Sequence, residues 1–240
     1  MFITYCMALD FFNSDDSDFL MRVGRELPGL IDNFEMASKI PSSLRWTWAR
    51  HELVNVYRDG WFVNTPVGAN GDAESVDEHV SDLEAFVKKY FPNDEQEDGL
   101  VYSGSHDNQE AITNVTLNNV KRDLNPRFNK ESYAITDDDK ARIERLGVNL
   151  LLEGNQPEKD IWNDYSVSDS SAARNFRSTD KLIVMWKCVE YVESGKYQYP
   201  DFQKYWDYWP LEKAKEKLTP LVAEIYADDL MPTIRKLQCL

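Results

Sequence analysis

Ser75-Val76-Asp77-Glu78-His79-Val80-Ser81-Asp82-Leu83-Glu84-Ala85-Phe86-Val87-Lys88-Lys89-Tyr90 sets Val76, Leu83, Phe86 and Val87 on one face of a 3.6-residue period. The spacing predicts a helix over 75–90. Working outward, Leu44, Trp48, Leu53, Val54 and Tyr57 approximate the same period from Ser42 to Asp59-Gly60. Residues 100–115 read as a further helix, which Gly104 and the 113–116 region weaken. Thr136-Asp137-Asp138-Asp139 is a cap for a helix reaching Glu153-Gly154. A short helix is expected over 157–165, and Ser178-Thr179-Asp180 opens a longer one through Met185, Trp186, Val189 and Tyr191 to Ser194-Gly195.

Towards the ends, Asp15-Asp16-Ser17-Asp18 opens a capped helix, with Pro28 and Pro41 as punctuation. Residues 64–72, 93–98 and 197–209 read as connections, and Pro210 begins a last helical region. The two-residue alternation of a strand is convincing nowhere, so the expected class is all-α. No repeat of 20–50 residues and no low-complexity segment is visible.

Composition narrows the function. With 42% apolar and 12% aromatic residues, the 240-residue chain can bury a sizeable core, which excludes intrinsic disorder. Forty-two acidic against 27 basic residues give a net charge of −15. A general surface of that sign does not coat nucleic acid or an anionic membrane. An anionic substrate would need a metal ion or a local cluster of basic residues. No apolar run approaches the ~18 residues of a membrane span. Met1-Phe2-Ile3-Thr4-Tyr5-Cys6 lacks the basic start of a signal peptide. Cys6, Cys188 and Cys239 have no metal-binding spacing. A cytoplasmic chain is the expectation.

The candidate chemistry centres on three histidines. His51 lies beside Arg50 with no motif partner and reads as structural. His106 is followed by Asp107, and Glu110 comes four residues later. On a helix, 106 and 110 would share a face and 107 would be turned by about 100°. The elements fall in order as Arg58-Asp59-Gly60-Trp61, Glu74-Ser75-Val76-Asp77-Glu78-His79, His106-Asp107-Asn108-Gln109-Glu110-Ala111-Ile112-Thr113, Val120-Lys121 and Thr179-Asp180-Lys181.

This series resembles the HD-domain phosphohydrolases, in particular the small 5′-deoxynucleotidases and related dNTP triphosphohydrolases, over about residues 44–195. Those proteins carry R-x-G-W, E-S-V-x-E-H, H-D-x-x-E-x-x-T and V-K, and then an Asp at the start of a helix. The resemblance implies an HD-domain helical bundle over 41–240, with an extension over 1–40 packed on it and extra C-terminal helices. It also implies that His79, His106, Asp107 and Asp180 ligate a divalent metal ion. Two imidazoles and two carboxylates suit Mn, Co, Mg, Fe or Zn without selecting among them. By the same resemblance Glu110 is the catalytic residue that activates or orients the attacking water. Arg58 contacts phosphate, with Lys121 as a second phosphate candidate. Trp61 and Thr113 border the substrate.

The implied activity is cleavage of the 5′-phosphate ester of a deoxynucleotide. Monophosphates are favoured because Arg58 and Lys121 offset too little of a triphosphate's charge. The dNTP triphosphohydrolase reaction is the alternative. Relatives form homo-oligomers, so a dimer or larger assembly is expected. One departure is plain: Thr113 is followed by Asn114-Val115, where the family has Gly-Asp, so sugar and base selectivity do not transfer. Two other classes compete. The stretch 136–177 is compatible with a helix-turn-helix DNA-binding regulator, which the acidic charge opposes. A non-catalytic interaction protein is the other, opposed by the complete set of ligand-type residues.

Overall fold

The computed structural model describes residues 11–27, 29–58, 62, 65–113, 136–208 and 210–239. The protein is all-α. Its helices in chain order are α1 (Ser14–Val23), α2 (Leu30–Lys39), α3 (Ser42–Glu52), α4 (Pro66–Asn70), α5 (Val76–Tyr90), α6 (Gln96–Ser103) and α7 (Glu110–Thr113). They continue as α8 (Asp137–Leu151), α9 (Gln156–Val167), α10 (Ser171–Glu193), α11 (Gln203–Tyr208), α12 (Leu211–Lys217), α13 (Pro220–Ile225) and α14 (Met231–Gln238). Among the described residues there is no strand, and one isolated antiparallel bridge pairs Tyr57 with Ser75. No described helix is long and apolar enough to cross a membrane.

Several boundaries follow from local chemistry. The Asn13 side chain accepts from the Asp16 backbone N–H and opens α1. Thr136 and Asp139 form a reciprocal capping box that opens α8. Other boundaries differ from the sequence expectation. The helix from Ser42 ends at Glu52 and tightens into a 3₁₀ turn over Leu53–Asn55. The supposed loop 64–72 contains α4, and the acidic stretch 93–98 already starts α6. The aromatic stretch 197–209 holds a 3₁₀ turn over Tyr199–Phe202 and then α11.

The chain forms two compact units. The first comprises Met1–Asn64, Gly71–Glu78 and Asp107–Asp160. In it α2 and α3 pack against α7 and α8. Leu30, Phe34, Leu53, Ile112, Ile143 and Leu150 form fully buried parts of its core. Arg45 ties this packing together: its guanidinium donates to the Ser38 and Leu150 carbonyls at 2.9 and 3.2 Å and to Glu153 Oε2 at 2.6 Å. A buried guanidinium needs that many acceptors. At the start of α8, Arg142 Nη2 meets Asp16 Oδ1 at 2.6 Å, and Arg22 Nη2 meets Asp139 Oδ1 at 2.5 Å. The Arg142 guanidinium lies 4.3 Å from the Phe19 ring centre.

The second unit comprises Thr65–Asn70, His79–His106 and Ile161–Leu240. Its spine is α10, against which α6, α13 and α14 pack. Phe176, Leu182, Met185 and Cys188 of α10 are fully buried. Polar ties reinforce the packing. Asn175 Nδ2 donates to Glu95 Oε2 at 2.7 Å, and the Thr219 N–H donates to Ser178 Oγ at 2.8 Å. Lys187 meets Asp82 at 2.7 Å, and the Tyr90 hydroxyl donates to Asp229 at 2.6 Å.

Candidate metal centre

The His106–Asp107 pair sits on a turn, which corrects the expectation of one helix over 100–115. The helix α6 stops at Ser103, and residues 104–109 form turns before α7 begins at Glu110. The physical reason is a concentration of competing bonds. Ser103 Oγ donates to the Leu100 carbonyl at 2.8 Å and Ser105 Oγ donates to the Val101 carbonyl at 2.7 Å. Glycine at 104 removes a further helix-favouring side chain. The Ser105 and His106 amides both turn back to the Tyr102 carbonyl, at 3.1 and 2.9 Å. The face-sharing of positions 106 and 110 that a continuous helix would give therefore does not apply.

His106 is nonetheless held firmly. Its Nδ1 lies 3.2 Å from the Ser103 carbonyl oxygen. A carbonyl can only accept, so Nδ1 carries a proton and donates. In the neutral ring the lone pair is then on Nε2. The rings of Phe176 and Tyr165 stand edge-on to the imidazole, with centroids 5.2 and 5.6 Å away. Tyr102 packs against both of those rings, and its hydroxyl donates to Asp164. Burial and that carboxylate push the Tyr102 phenol up to about 12.

His79, in the first turns of α5, is fully buried. Its Nε2 lies 3.0 Å from Asp180 Oδ1, and His106 Nε2 lies 3.9 Å from the same oxygen. The two imidazole centres are 5.7 Å apart. Asp180 does not open its helix. Ser170 caps α10, its Oγ accepting from the Ala173 N–H at 3.2 Å, so Asp180 projects from well inside the helix. The helix starts early because its polar residues are satisfied internally: Thr179 Oγ1 donates to the Asn175 carbonyl at 2.9 Å. One ligand atom each from His79, His106 and Asp107 all lie within 4.8 Å of one another, and this buried group can hold a metal ion. Two imidazoles and a carboxylate are donors that a divalent cation takes, and Asp180 Oδ1 stands beside both rings.

Around Asp107 the chain assembles charge. The Arg58 amide donates to the Glu74 carbonyl at 2.9 Å and the Val76 amide to the Val56 carbonyl at 2.7 Å, so two extended segments run together. Within them the buried Arg58 places Nε 3.7 Å from Glu74 Oε1 and Nη1 4.0 Å from Asp107 Oδ2. Glu110 retains some exposure as a residue, but its Oε2 is buried and accepts no hydrogen bond among the described residues. Burial holds the Glu110 carboxyl well above the usual range, and the Asp107 charge raises it further. Arg58 and Lys140 pull the other way, and Glu144 adds to the rise. Lys140 and Glu144 are themselves paired at 3.5 Å on α8. Glu74 and Asp107 both lie in ion-pair range of the Arg58 guanidinium.

Thr113 is buried, and its Oγ1 donates to the Glu110 carbonyl at 3.5 Å, closing the short α7. Trp61, Lys121 and Val115 lie outside the described residues. Sequence reasoning gave no role to Glu74, although it heads a motif already singled out. It missed Lys140 and Glu144 too, because nothing in their spacing ties them to Glu110. No protein-family model matches the chain, and no match was found among curated proteins.

Proposed function

We propose that this protein is a metal-dependent hydrolase of the 5′-phosphate ester of deoxynucleotides, of the HD-domain type, working as a homo-oligomer. The observation that carries the reading is the buried His79, His106 and Asp107 group, with Asp180 Oδ1 against both imidazoles. In this reading those four residues hold a divalent ion, which when bound supplies Lewis-acid polarisation of a phosphoryl oxygen and acidifies water. The chain's own groups do the rest. Glu110 takes a proton from the attacking water at its buried Oε2, and burial raises its proton affinity as a general base requires. Arg58 neutralises phosphate charge as the water oxygen bonds to phosphorus and the bond to the sugar's 5′ oxygen breaks. The leaving oxygen takes a proton, giving nucleoside and phosphate.

Monophosphates remain the preferred substrates, with Arg58 as the phosphate-facing cation. One observation favours the triphosphohydrolase reading: Lys140 is a further cation close enough to Glu110 to affect its titration, and it is positioned from α8 rather than from the motif region. Arg177, in the stretch compatible with a helix-turn-helix, donates to the Tyr165 and Ser168 carbonyls at 2.5 and 2.8 Å. The test is phosphate release from dAMP and dATP, offered separately with Mn²⁺, Co²⁺ or Mg²⁺, with chromatography of the products. Nucleoside and phosphate from dAMP support the proposal. Tripolyphosphate from dATP with dAMP untouched selects the alternative, and no turnover of either nucleotide with any of the three ions overturns both.

A further inference from the structure

Glu74 and Arg58 are both nearly sealed from solvent, their side chains 3% and 4% exposed, and the Nε–Oε1 separation is 3.7 Å. Burying an ion pair is costly, and surface pairs give at most modest stability. A pair kept inside therefore calls for a reason beyond stability. The same guanidinium has a second carboxylate within reach, since Nη1 stands 4.0 Å from Asp107 Oδ2. Asp107 is half-buried and contributes one of the three grouped ligand atoms. These two separations are in ion-pair range and longer than a hydrogen bond. Arg58 thus stands in ion-pair range of Glu74 and of Asp107, and Asp107 belongs to the ligand group.

Backbone geometry fixes which carboxylate holds the guanidinium. The Arg58 amide donates to the Glu74 carbonyl, and the antiparallel bridge of Tyr57 with Ser75 keeps the two residues in register. Ser75 is fixed in turn by Glu78, whose Oε2 accepts from the Ser75 amide at 2.7 Å. Glu74 therefore cannot drift from Arg58 without breaking the segment that leads into α5. Without the Glu74 charge, the Asp107 carboxylate still stands in ion-pair range of the guanidinium. A bidentate Arg–Asp pair would then occupy the oxygens that a cation needs.

We propose that Glu74 is a positioning residue that holds the Arg58 guanidinium off Asp107 and so keeps the Asp107 carboxylate available to a divalent cation. The inference rests on the metal-binding reading above, and it assigns to Glu74 an effect on metal affinity although Glu74 is not itself in the ligand group. Loss of an orienting partner of a metal ligand typically lowers affinity by about 10–100-fold.

The experiment is calorimetric titration of the metal-free full-length protein with MnCl₂ and, separately, CoCl₂. It compares wild type, Glu74→Gln, Arg58→Met and the double variant, with circular dichroism showing that each is folded. The expected result is a loss of roughly tenfold or more in Glu74→Gln, recovered when Arg58→Met is added. The Arg58→Met gain should be larger in the Glu74→Gln background than in wild type. That non-additivity separates positioning from simple loss of a nearby negative charge, which would make the two effects additive. Should Glu74→Gln fail to fold, Glu74→Asp replaces it. The shorter carboxylate keeps the charge but relaxes its hold, so a smaller loss with the same rescue is expected. Wild type and folded Glu74 variants binding alike, or additive effects, overturn this inference alone. Wild type that binds neither ion overturns the metal reading and this inference with it.

Discussion

His79 Nε2 and Asp180 Oδ1, 3.0 Å apart, join α5 to α10 through a hydrogen bond. A carboxylate at ordinary pH only accepts, so the imidazole nitrogen facing it must donate. A metal ligated through this nitrogen would need its lone pair instead.

A divalent ion competes with protons for imidazole and carboxylate ligands, so apparent affinity is expected to rise with pH. Calorimetric titration with Mn²⁺ in two buffers of different ionisation enthalpy reads the proton count directly. Identical heats in the two buffers, with affinity flat in pH, would rule out this proton exchange.

Removing a ligand should remove both metal and activity. His106→Ala or Asp107→Ala is expected to abolish bound Mn²⁺, measured by elemental analysis after gel filtration, together with dAMP hydrolysis. Chelation of the wild-type protein should have the same effect on turnover. Full turnover by metal-free protein would sink the whole functional reading.

Glu110→Gln separates chemistry from folding. Because the folded state raises the Glu110 proton affinity, its contribution to stability is present below the usual Glu range and is lost as pH rises through the raised folded value. The neutral amide escapes that loss, so metal-free Glu110→Gln should melt higher than wild type on the alkaline side of that value. Its turnover with metal should nevertheless fall by roughly two orders of magnitude or more, with metal binding retained. Near-normal kcat would show Glu110 to be a bystander carboxylate.

Alkaline titration should reveal protected phenols. Burial is the first cause that pushes Tyr102 and Tyr226 up to about 12. Their folded values lie above the unfolded one of about 10, so their stabilising effect is full below that value and disappears as pH climbs to about 12. Phenolate absorbance should rise in two phases, the later one coinciding with loss of helical circular dichroism. A single phase at the ordinary tyrosine range in folded protein would contradict the burial of these hydroxyls.

Gly99→Ala tests the contact of α6 with α5. A Cβ there would lie 2.8 Å from Val87 Cγ1 and 3.2 Å from Phe91 Cδ2, both on buried residues. The helix-propensity gain of up to about 1 kcal/mol is opposed by overpacking of roughly 1–3 kcal/mol. A lower melting temperature is expected, and a higher one would mean that Val87 can turn aside.

Much of the fold was legible because its signals are local. The Thr136 capping box and the apolar face of 75–90 depend only on neighbours in sequence, and α8 and α5 formed where they pointed. The N-terminal half of α10 was not legible. Asn175, Ser178 and Thr179 look like a polar break, yet all three are buried, with partners on Glu95, Thr219 and the preceding turn. The break after Ser103 was equally hidden, since two serine hydroxyls bonding backward decide it. At the candidate centre, residue types and order brought His79, His106 and Asp107 to notice. The pull of Lys140 and Glu144 on Glu110 arises only once α7 packs on α8.

The wiring of α1 to the start of α8 bears on how this chain can be handled and how it can change. Phe19 has guanidinium groups from Arg22 and Arg142 over its ring, and each of those arginines is bound to an aspartate on the opposite helix. Asp139 serves both Arg22 and the Thr136 amide, so the α8 cap and the α1 clasp share one carboxylate. A tag placed ahead of Asn13 leaves this arrangement alone, whereas trimming into α1 strands an arginine, an aspartate and a helix cap together. The stretch read in the sequence as an extension thus shares its charges with a helix more than a hundred residues away, so a change to either side of the clasp unbalances the other.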